Sequence, residues 1–121
     1  MAKKILIAED ERDIAQMLGL RLEDHGFEVC YAYSGTEALE KAKSEKPDLI
    51  LLDYTLPKIK GDAVCDELKS NAQYKHIRII LLSGYRKDQI LGGQEADLYM
   101  GKPYEAHDLL RNIDELLAKT K

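Results

Sequence analysis

Apolar positions along the chain fall into two alternating patterns. Short continuous runs, Ile5-Leu6-Ile7-Ala8, Leu49-Ile50-Leu51-Leu52 and Ile79-Ile80-Leu81-Leu82, have the length of strands buried on both faces. Between them, apolar residues recur every three or four positions, the period of a helix with one buried face. Read in order, the pattern predicts a strand over 4–9, then a helix with Ile14, Met17, Leu18 and Leu22 on one face that stops at Gly26. A strand over 27–32 alternates enough to lie nearer a sheet edge. Ser34 caps the next helix, with Glu37 three residues on completing a capping box and Ala38, Leu39 and Ala42 facing inward. Pro47 ends that connection and a strand covers 48–53. Gly61 precedes a third helix carrying Val64, Cys65 and Leu68. A β-branched strand over 77–82 is broken by Ser83-Gly84. Residues 86–92 allow a short helix, limited by Gly92-Gly93. Leu98-Tyr99-Met100 is a short last strand, and a final amphipathic helix from Glu105 carries Leu109, Leu110, Ile113, Leu116 and Leu117.

Strands that alternate with helices and are apolar on both faces make an α/β protein with a parallel sheet covered on both sides. Right-handed crossovers then give a doubly wound sheet. Ligands in such sheets bind beyond the carboxyl ends of the strands, where the winding reverses. A length of 121 residues fits one domain, 1–121, and 45% hydrophobic with 33% charged residues excludes a disordered chain. The net charge of −4 is spread among interleaved acids and bases, which argues against direct nucleic-acid binding. No run is long enough to span a membrane, and Met1-Ala2-Lys3-Lys4 leads straight into a strand without a signal-peptide pattern. Cys30 and Cys65 lack metal-ligand spacing and read as reduced packing residues, so a cytoplasmic protein is expected.

The strand ends change the picture. Glu9 and Asp10 follow the first run, and Asp53 ends the third strand. Ser83-Gly84 follows the fourth, and Lys102-Pro103 the last. Tyr54-Thr55-Leu56-Pro57 cannot continue the strand before it, which leaves Asp53 at the mouth of a cleft. Mg²⁺ takes oxygen ligands, usually one or two carboxylates plus phosphate oxygens. Asp10 and Asp53 suit direct binding, Glu9 a bond through water or the orienting of Asp10, and a backbone carbonyl just after Asp53 a further ligand. An aspartate carboxylate is also a competent nucleophile at phosphorus. Lys102 would then supply a point charge to the phosphoryl group, Ser83 a hydroxyl, and Gly84 room and a backbone N–H. Singly these features are ordinary. An acidic triplet suits a helix N-terminus, Ser-Gly makes a turn, and Lys-Pro sits on a surface. Together they describe a site for a divalent cation and a phosphoryl group.

With these residues in order, the chain resembles the receiver domain of two-component response regulators over essentially its whole length. The matching segments are Ile5–Glu11, Pro47–Asp53, Leu56-Pro57 with Gly61, Ile79–Gly84 and Tyr99–Tyr104. The resemblance implies a flavodoxin-like five-stranded sheet of order 2-1-3-4-5. It implies Asp53 as phosphoacceptor, loaded by a histidine kinase or histidine phosphotransferase. It implies Mg²⁺ (or Mn²⁺) on Glu9, Asp10, Asp53 and the Thr55 backbone carbonyl, with Lys102 on the phosphoryl group. Ser83 and Tyr99 correspond to the switch pair. Thr55 and Tyr85 stand where the family tunes loss of the phosphoryl group, and bulky Tyr85 is expected to shield it. A cis Lys102-Pro103 bond is also implied. The only chemistry implied is self-phosphorylation and self-dephosphorylation, in a monomer or a weak phosphorylation-linked dimer that acts on a downstream protein. Either a stand-alone switch or one domain of a longer protein fits.

Residues 84–98 are shorter than the family pattern, which predicts a truncated, shifted or irregular fourth helix. Gly101 stands where a larger residue is common, and Lys58 and Lys60 add positive charge around the cleft. Three other readings compete. A haloacid-dehalogenase-like phosphohydrolase needs a second aspartate where Thr55 stands. A flavin-binding protein needs a glycine- and hydroxyl-rich loop after the first strand. A receiver-like module that is never phosphorylated has no use for the clustered acids.

Overall fold

The computed structural model describes residues 2–90 and 92–119. Its strands are β1 (Lys4–Ala8), β2 (Glu28–Ala32), β3 (Leu49–Asp53), β4 (Arg78–Ser83) and β5 (Leu98–Gly101). Its helices are α1 (Arg12–Asp24), α2 (Gly35–Glu45), α3 (Gly61–Lys69) and α4 (Ala106–Ala118). The strands form one sheet in the order β2-β1-β3-β4-β5, and every neighbouring pair is parallel. The expected order and the expected edge position of β2 are both present.

Alternation along the strands divides the core in two. Leu6, Ala8, Ile50, Leu52, Ile79 and Leu81 point to the face covered by α2 and α3. Ile5, Ile7, Leu49, Leu51, Ile80 and Leu82 point to the face covered by α1 and α4. Near-complete burial of both sets explains why the strands read as unbroken apolar runs.

The winding reverses between β1 and β3, and register does the rest. Ala8 pairs with Leu52, Asp53 with Leu82, and Ser83 with Gly101. Glu9, Asp53, Ser83 and Lys102 therefore emerge within one residue of each other along neighbouring strands.

α1 corrects the expected inner face. Ala15, Gly19 and Leu22 are buried, whereas Ile14 is 46% and Met17 64% exposed. Small residues let the helix lie close to the sheet: a Cβ at Gly19 would collide with the Tyr31 hydroxyl. Leu18 and Leu22 pack inward as expected, while Ile14 and Met17 lie on the outer stripe. The α2 cap forms nearly as expected. Ser34 Oγ accepts the Glu37 N–H at 3.1 Å, but Glu37 Oε1 accepts the N–H of Tyr33, one residue before the cap, at 2.7 Å.

Among the described residues between β4 and β5 there is no α-helix, only a single 3₁₀ turn, Lys87–Gln89, and position 91 of the expected 86–92 helix lies outside the described residues. Gly93 takes φ +76°, a left-handed conformation incompatible with a continuing right-handed helix. This is the irregularity the short segment predicts.

Asp97 ties the base of the sheet together. It accepts from Lys69 Nζ at 2.8 Å, Arg78 Nη1 at 3.1 Å and the Ile79 N–H at 2.8 Å. Lys69 also reaches the carbonyls of Lys75 and Ile77. Burial opposes ionisation of Asp97, but these donors outweigh it and hold its carboxyl below the ordinary 3.8. The stability it lends is full above that value and is lost as pH falls through the lower native one. Asp97→Ala leaves the Lys69 ammonium buried without its partner and is expected to cost about 2–4 kcal/mol in urea unfolding at pH 7. A loss under about 0.5 kcal/mol, typical of surface pairs, would contradict this role.

Candidate metal and phosphoryl site

Asp53 is 3% and Glu9 7% exposed, although both carry carboxylates. Burial of that kind requires partners. Asp53 Oδ1 accepts the Thr55 N–H at 3.2 Å and the Thr55 hydroxyl at 3.3 Å. Asp53 Oδ2 accepts from Lys102 Nζ at 3.0 Å. Glu9 Oε2 accepts the Glu11 N–H at 3.1 Å, and Glu9 Oε1 lies 3.6 Å from Lys102 Nζ. Asp10 is exposed at the rim. Carboxylate oxygens of Glu9, Asp10 and Asp53 all lie within 4.8 Å of one another.

The chain makes this arrangement with its turns. After Asp53 the backbone leaves the sheet: the Tyr54 N–H donates to the Leu82 carbonyl, and the Tyr54 carbonyl accepts from Gly61 N–H, each at 2.8 Å. Gly61 must lack a side chain, because a Cβ would strike the Asp53 carbonyl. Lys102 N–H donates to the Ser83 carbonyl at 2.7 Å, which docks the Lys102-Pro103 turn on β4. The Lys102-Pro103 bond is cis, as the resemblance implied.

Three carboxylates face one ammonium, and the protonation equilibria reflect the imbalance. Burial, reinforced by the Asp53 charge, pushes Glu9 up to about 7 against the opposing Glu11 N–H and Lys102. Burial disfavours the Lys102 charge, but the hydrogen bond and charge of Asp53, with Glu9, raise its value overall. An all-oxygen donor set with excess negative charge fits a hard divalent cation such as Mg²⁺.

Ser83 is 1% exposed and its Oγ accepts the Tyr85 N–H at 2.9 Å. A hydroxyl in that role keeps its own proton to donate. Tyr99 is half-buried, and its hydroxyl donates to the Tyr85 carbonyl at 2.8 Å. Tyr85 is 53% exposed, with its ring edge-on to Tyr54 at 5.7 Å. Gly84 is surrounded by open space, so its lack of a side chain is not a packing requirement here. Lys60 Nζ lies 5.8 Å from the Tyr54 ring centroid, and Lys58 is exposed at φ 73°.

Two contributors escaped the sequence reading. Tyr54 meets both Tyr85 and Lys60, but its position in a turn carries no periodic signal. Tyr104 is half-buried and, with Glu9, Ile14, Lys102 and Pro103, lines a groove of about 540 Å³ beside the acids. Burial raises the Tyr104 hydroxyl above its ordinary value.

The oxygen-rich cleft lies at the winding reversal of a 2-1-3-4-5 sheet, where doubly wound α/β proteins bind ligands. The family model described as the response regulator receiver domain matches residues 5–114, so the chain belongs to that family of two-component signalling. Its members are phosphoacceptor switches that bind Mg²⁺, rather than conventional enzymes. The chain is 38% identical over 122 residues to the alkaline phosphatase synthesis transcriptional regulatory protein PhoP of Bacillus subtilis, covering 100% of this chain and 51% of PhoP. It is 39% identical over 117 residues to the response regulator ArlR of Staphylococcus saprophyticus, covering 96% of this chain and 53% of ArlR. The chain thus spans about half the length of these curated relatives. A putative response regulator from Chloroflexus aurantiacus superposes with a TM-score of 0.89 at 31% identity, covering 98% of this chain and 100% of that one. TrrA from Thermotoga maritima, solved in complex with Mg(2+)-BeF, gives 0.85 at 34%, covering 94% and 98%.

Raising the Glu9 value above the ordinary 4.5 means that the protonated form is favoured in the folded state. The associated stability is present below 4.5 and lost as pH rises through about 7. Glu9→Gln is therefore expected to stabilise the metal-free protein by about 1–3 kcal/mol at pH 8 and to be nearly neutral at pH 4. Urea unfolding in a chelator checks this; equal effects at both pH values would contradict it.

Proposed function

We propose that the chain is a receiver domain over 1–121 that accepts a phosphoryl group on Asp53 from a phosphohistidine of a kinase or phosphotransferase. The observation that carries this reading is the double anchoring of Asp53. Thr55 fixes one oxygen, Lys102 the other, and two more carboxylates crowd within 4.8 Å. A carboxylate oxygen of Asp53 attacks phosphorus while the P–N bond to the donor imidazole breaks, and the imidazole leaves with the electron pair. Lys102, already 3.0 Å from Asp53, follows the charge onto the phosphoryl oxygens. Ser83 donates its free proton to one of them. Tyr99 responds through the Tyr85 carbonyl that its hydroxyl holds.

Mg²⁺ (or Mn²⁺) would be held by Glu9, Asp10, Asp53 and the Thr55 carbonyl. Bound there, the ion supplies the positive charge that the cluster lacks and that a phosphoryl dianion demands. Water attack on the acyl phosphate ends the signal. Thr55 at one rim and Tyr85, braced by Tyr54, at the other limit that attack.

The donor protein meets an apolar rim. Ile14 is 46% exposed and lines the groove with Pro103 and Tyr104 directly beside Glu9 and Lys102. A partner presenting a phosphohistidine to Asp53 lies against this rim and covers it. The output is a protein contact made in the cytoplasm by a monomer or a weak phosphorylation-linked dimer. The net charge of −4 argues against direct contact of this chain with nucleic acid. An aspartate-based phosphohydrolase reading fails on Thr55, which cannot serve as the acid/base.

Incubation with Mg²⁺ and acetyl phosphate is expected to add one labile phosphoryl group to the wild type and none to Asp53→Asn, by intact mass. Lys102→Ala is expected to slow the reaction roughly 100-fold, the scale of removing one preorganised charge-stabilising donor. Equal labelling of Asp53→Asn would sink the assignment. Separately, Tyr85→Ala is expected to shorten the acyl-phosphate half-life several-fold; an unchanged half-life removes the shielding role.

A further inference from the structure

Among the described residues between β4 and β5 the backbone amides have no α-helix in which to pair, so they need other acceptors. Two consecutive amides find them on α3. Gly92 N–H donates to Asp62 Oδ2 at 3.2 Å, and Gly93 N–H to Asp66 Oδ1 at 2.9 Å. Residues four positions apart share a helix face, so the two carboxylates act as neighbouring hooks. A side chain at either glycine would crowd this attachment. A Cβ on Gly92 would stand 2.7 Å from Asp66 Oδ2 and 3.0 Å from Asp62 Oδ2. On Gly93, already at φ +76°, it would stand 2.7 Å from Leu81 Cδ2.

The upstream end of the same connection is tied to the switch residues. The Tyr85 peptide gives its N–H to Ser83 Oγ and receives the Tyr99 hydroxyl on its carbonyl. Between the two ties, Ile90 is 6% exposed and seats the segment against the body of the protein.

We propose that Asp62 and Asp66 are positioning residues for the phosphoryl switch. Through Gly92 and Gly93 they fasten the connection to α3, so that the Tyr85 peptide is presented to both Ser83 and Tyr99. The inference rests on Asp53 being the phosphoacceptor. Ser83 Oγ can accept from Tyr85 N–H and donate to a phosphoryl oxygen at once. Its shift toward the phosphoryl group therefore pulls the Tyr85 peptide, and with it the carbonyl that holds Tyr99. A pull at one end displaces Tyr99 only if the other end is fixed. Charge-assisted bonds to two carboxylates supply that fixed point in place of a packed helix. In this chain α3 becomes the mechanical support of the switch.

The test uses the full chain as wild type, as Asp62→Asn/Asp66→Asn, and as Gly92→Ala, which keeps both carboxylates but expels the loop from them. Intact mass after acetyl phosphate and Mg²⁺ first establishes Asp53 phosphorylation; its failure in wild type removes the underlying reading, apart from the latch. Amide exchange by NMR is then expected to be at least 10-fold faster at Gly92 and Gly93 in the double variant. Beryllium fluoride with Mg²⁺, a stable phosphoryl mimic, is expected to shift the Tyr99 ring resonances in wild type. That shift should fall to less than half in both variants while Asp53 still phosphorylates, a loss that weakened packing alone does not produce. A full Tyr99 response in the variants overturns the proposal, as does unprotected exchange at Gly92 and Gly93 in wild type. Should the double variant fail to fold, Gly92→Ala decides alone.

Discussion

The Lys102 ammonium, 3.0 Å from Asp53 and 3.6 Å from Glu9, is the contact on which the site depends. It places one positive charge among three carboxylates that the fold has gathered, two of them removed from water and Asp10 exposed at the rim. Without it, two buried anions would stand side by side, and one would have to protonate. With it, the cluster still carries excess negative charge, which Glu9 relieves by holding a proton up to about 7. The site is thus charge-deficient by construction. Its natural occupants are the species that correct the deficit, a divalent cation and, with that cation, a phosphoryl group.

The sheet makes this possible at little conformational cost. Ala8–Leu52, Asp53–Leu82 and Ser83–Gly101 pairing brings the four reactive positions to the carboxyl end of the sheet, Asp53 and Ser83 on their strands and Glu9 and Lys102 one residue beyond theirs. Each strand contributes apolar residues to both core layers and only its last residue or the next to the cleft. Packing and chemistry therefore occupy separate positions in the sequence. On the far side of the cleft the Tyr85 backbone joins Ser83 to Tyr99 through two hydrogen bonds.

Much of this was legible before any coordinates. Unbroken apolar runs fix parallel strands, because only strands buried on both faces need them, and a polar residue directly after such a run has nowhere to go but the cleft. Glu9, Asp53 and Ser83 were readable for that reason, and Lys102 as a lysine before proline just beyond the short last strand. The inner face of α1 was legible only in part: Leu18 and Leu22 pack inward, but Ala15 and Gly19 pack by being small while Ile14 and Met17 advertise a stripe that faces solvent. The β4–β5 connection announced its irregularity through Gly92-Gly93. Its attachment to Asp62 and Asp66 was hidden, because a backbone amide reaching a carboxylate some thirty positions away leaves no periodic trace. Tyr54 was hidden in the same way, by acting through a ring contact from a turn.

Calorimetric titration of Mg²⁺ at pH 7, in two buffers of contrasting ionisation enthalpy, reads the charge deficit directly. A native Glu9 value of about 7 predicts release of about half a proton per bound ion, and none from Glu9→Gln. Binding with identical heats in both buffers, or no binding at all, would contradict the claim that these carboxylates await a cation.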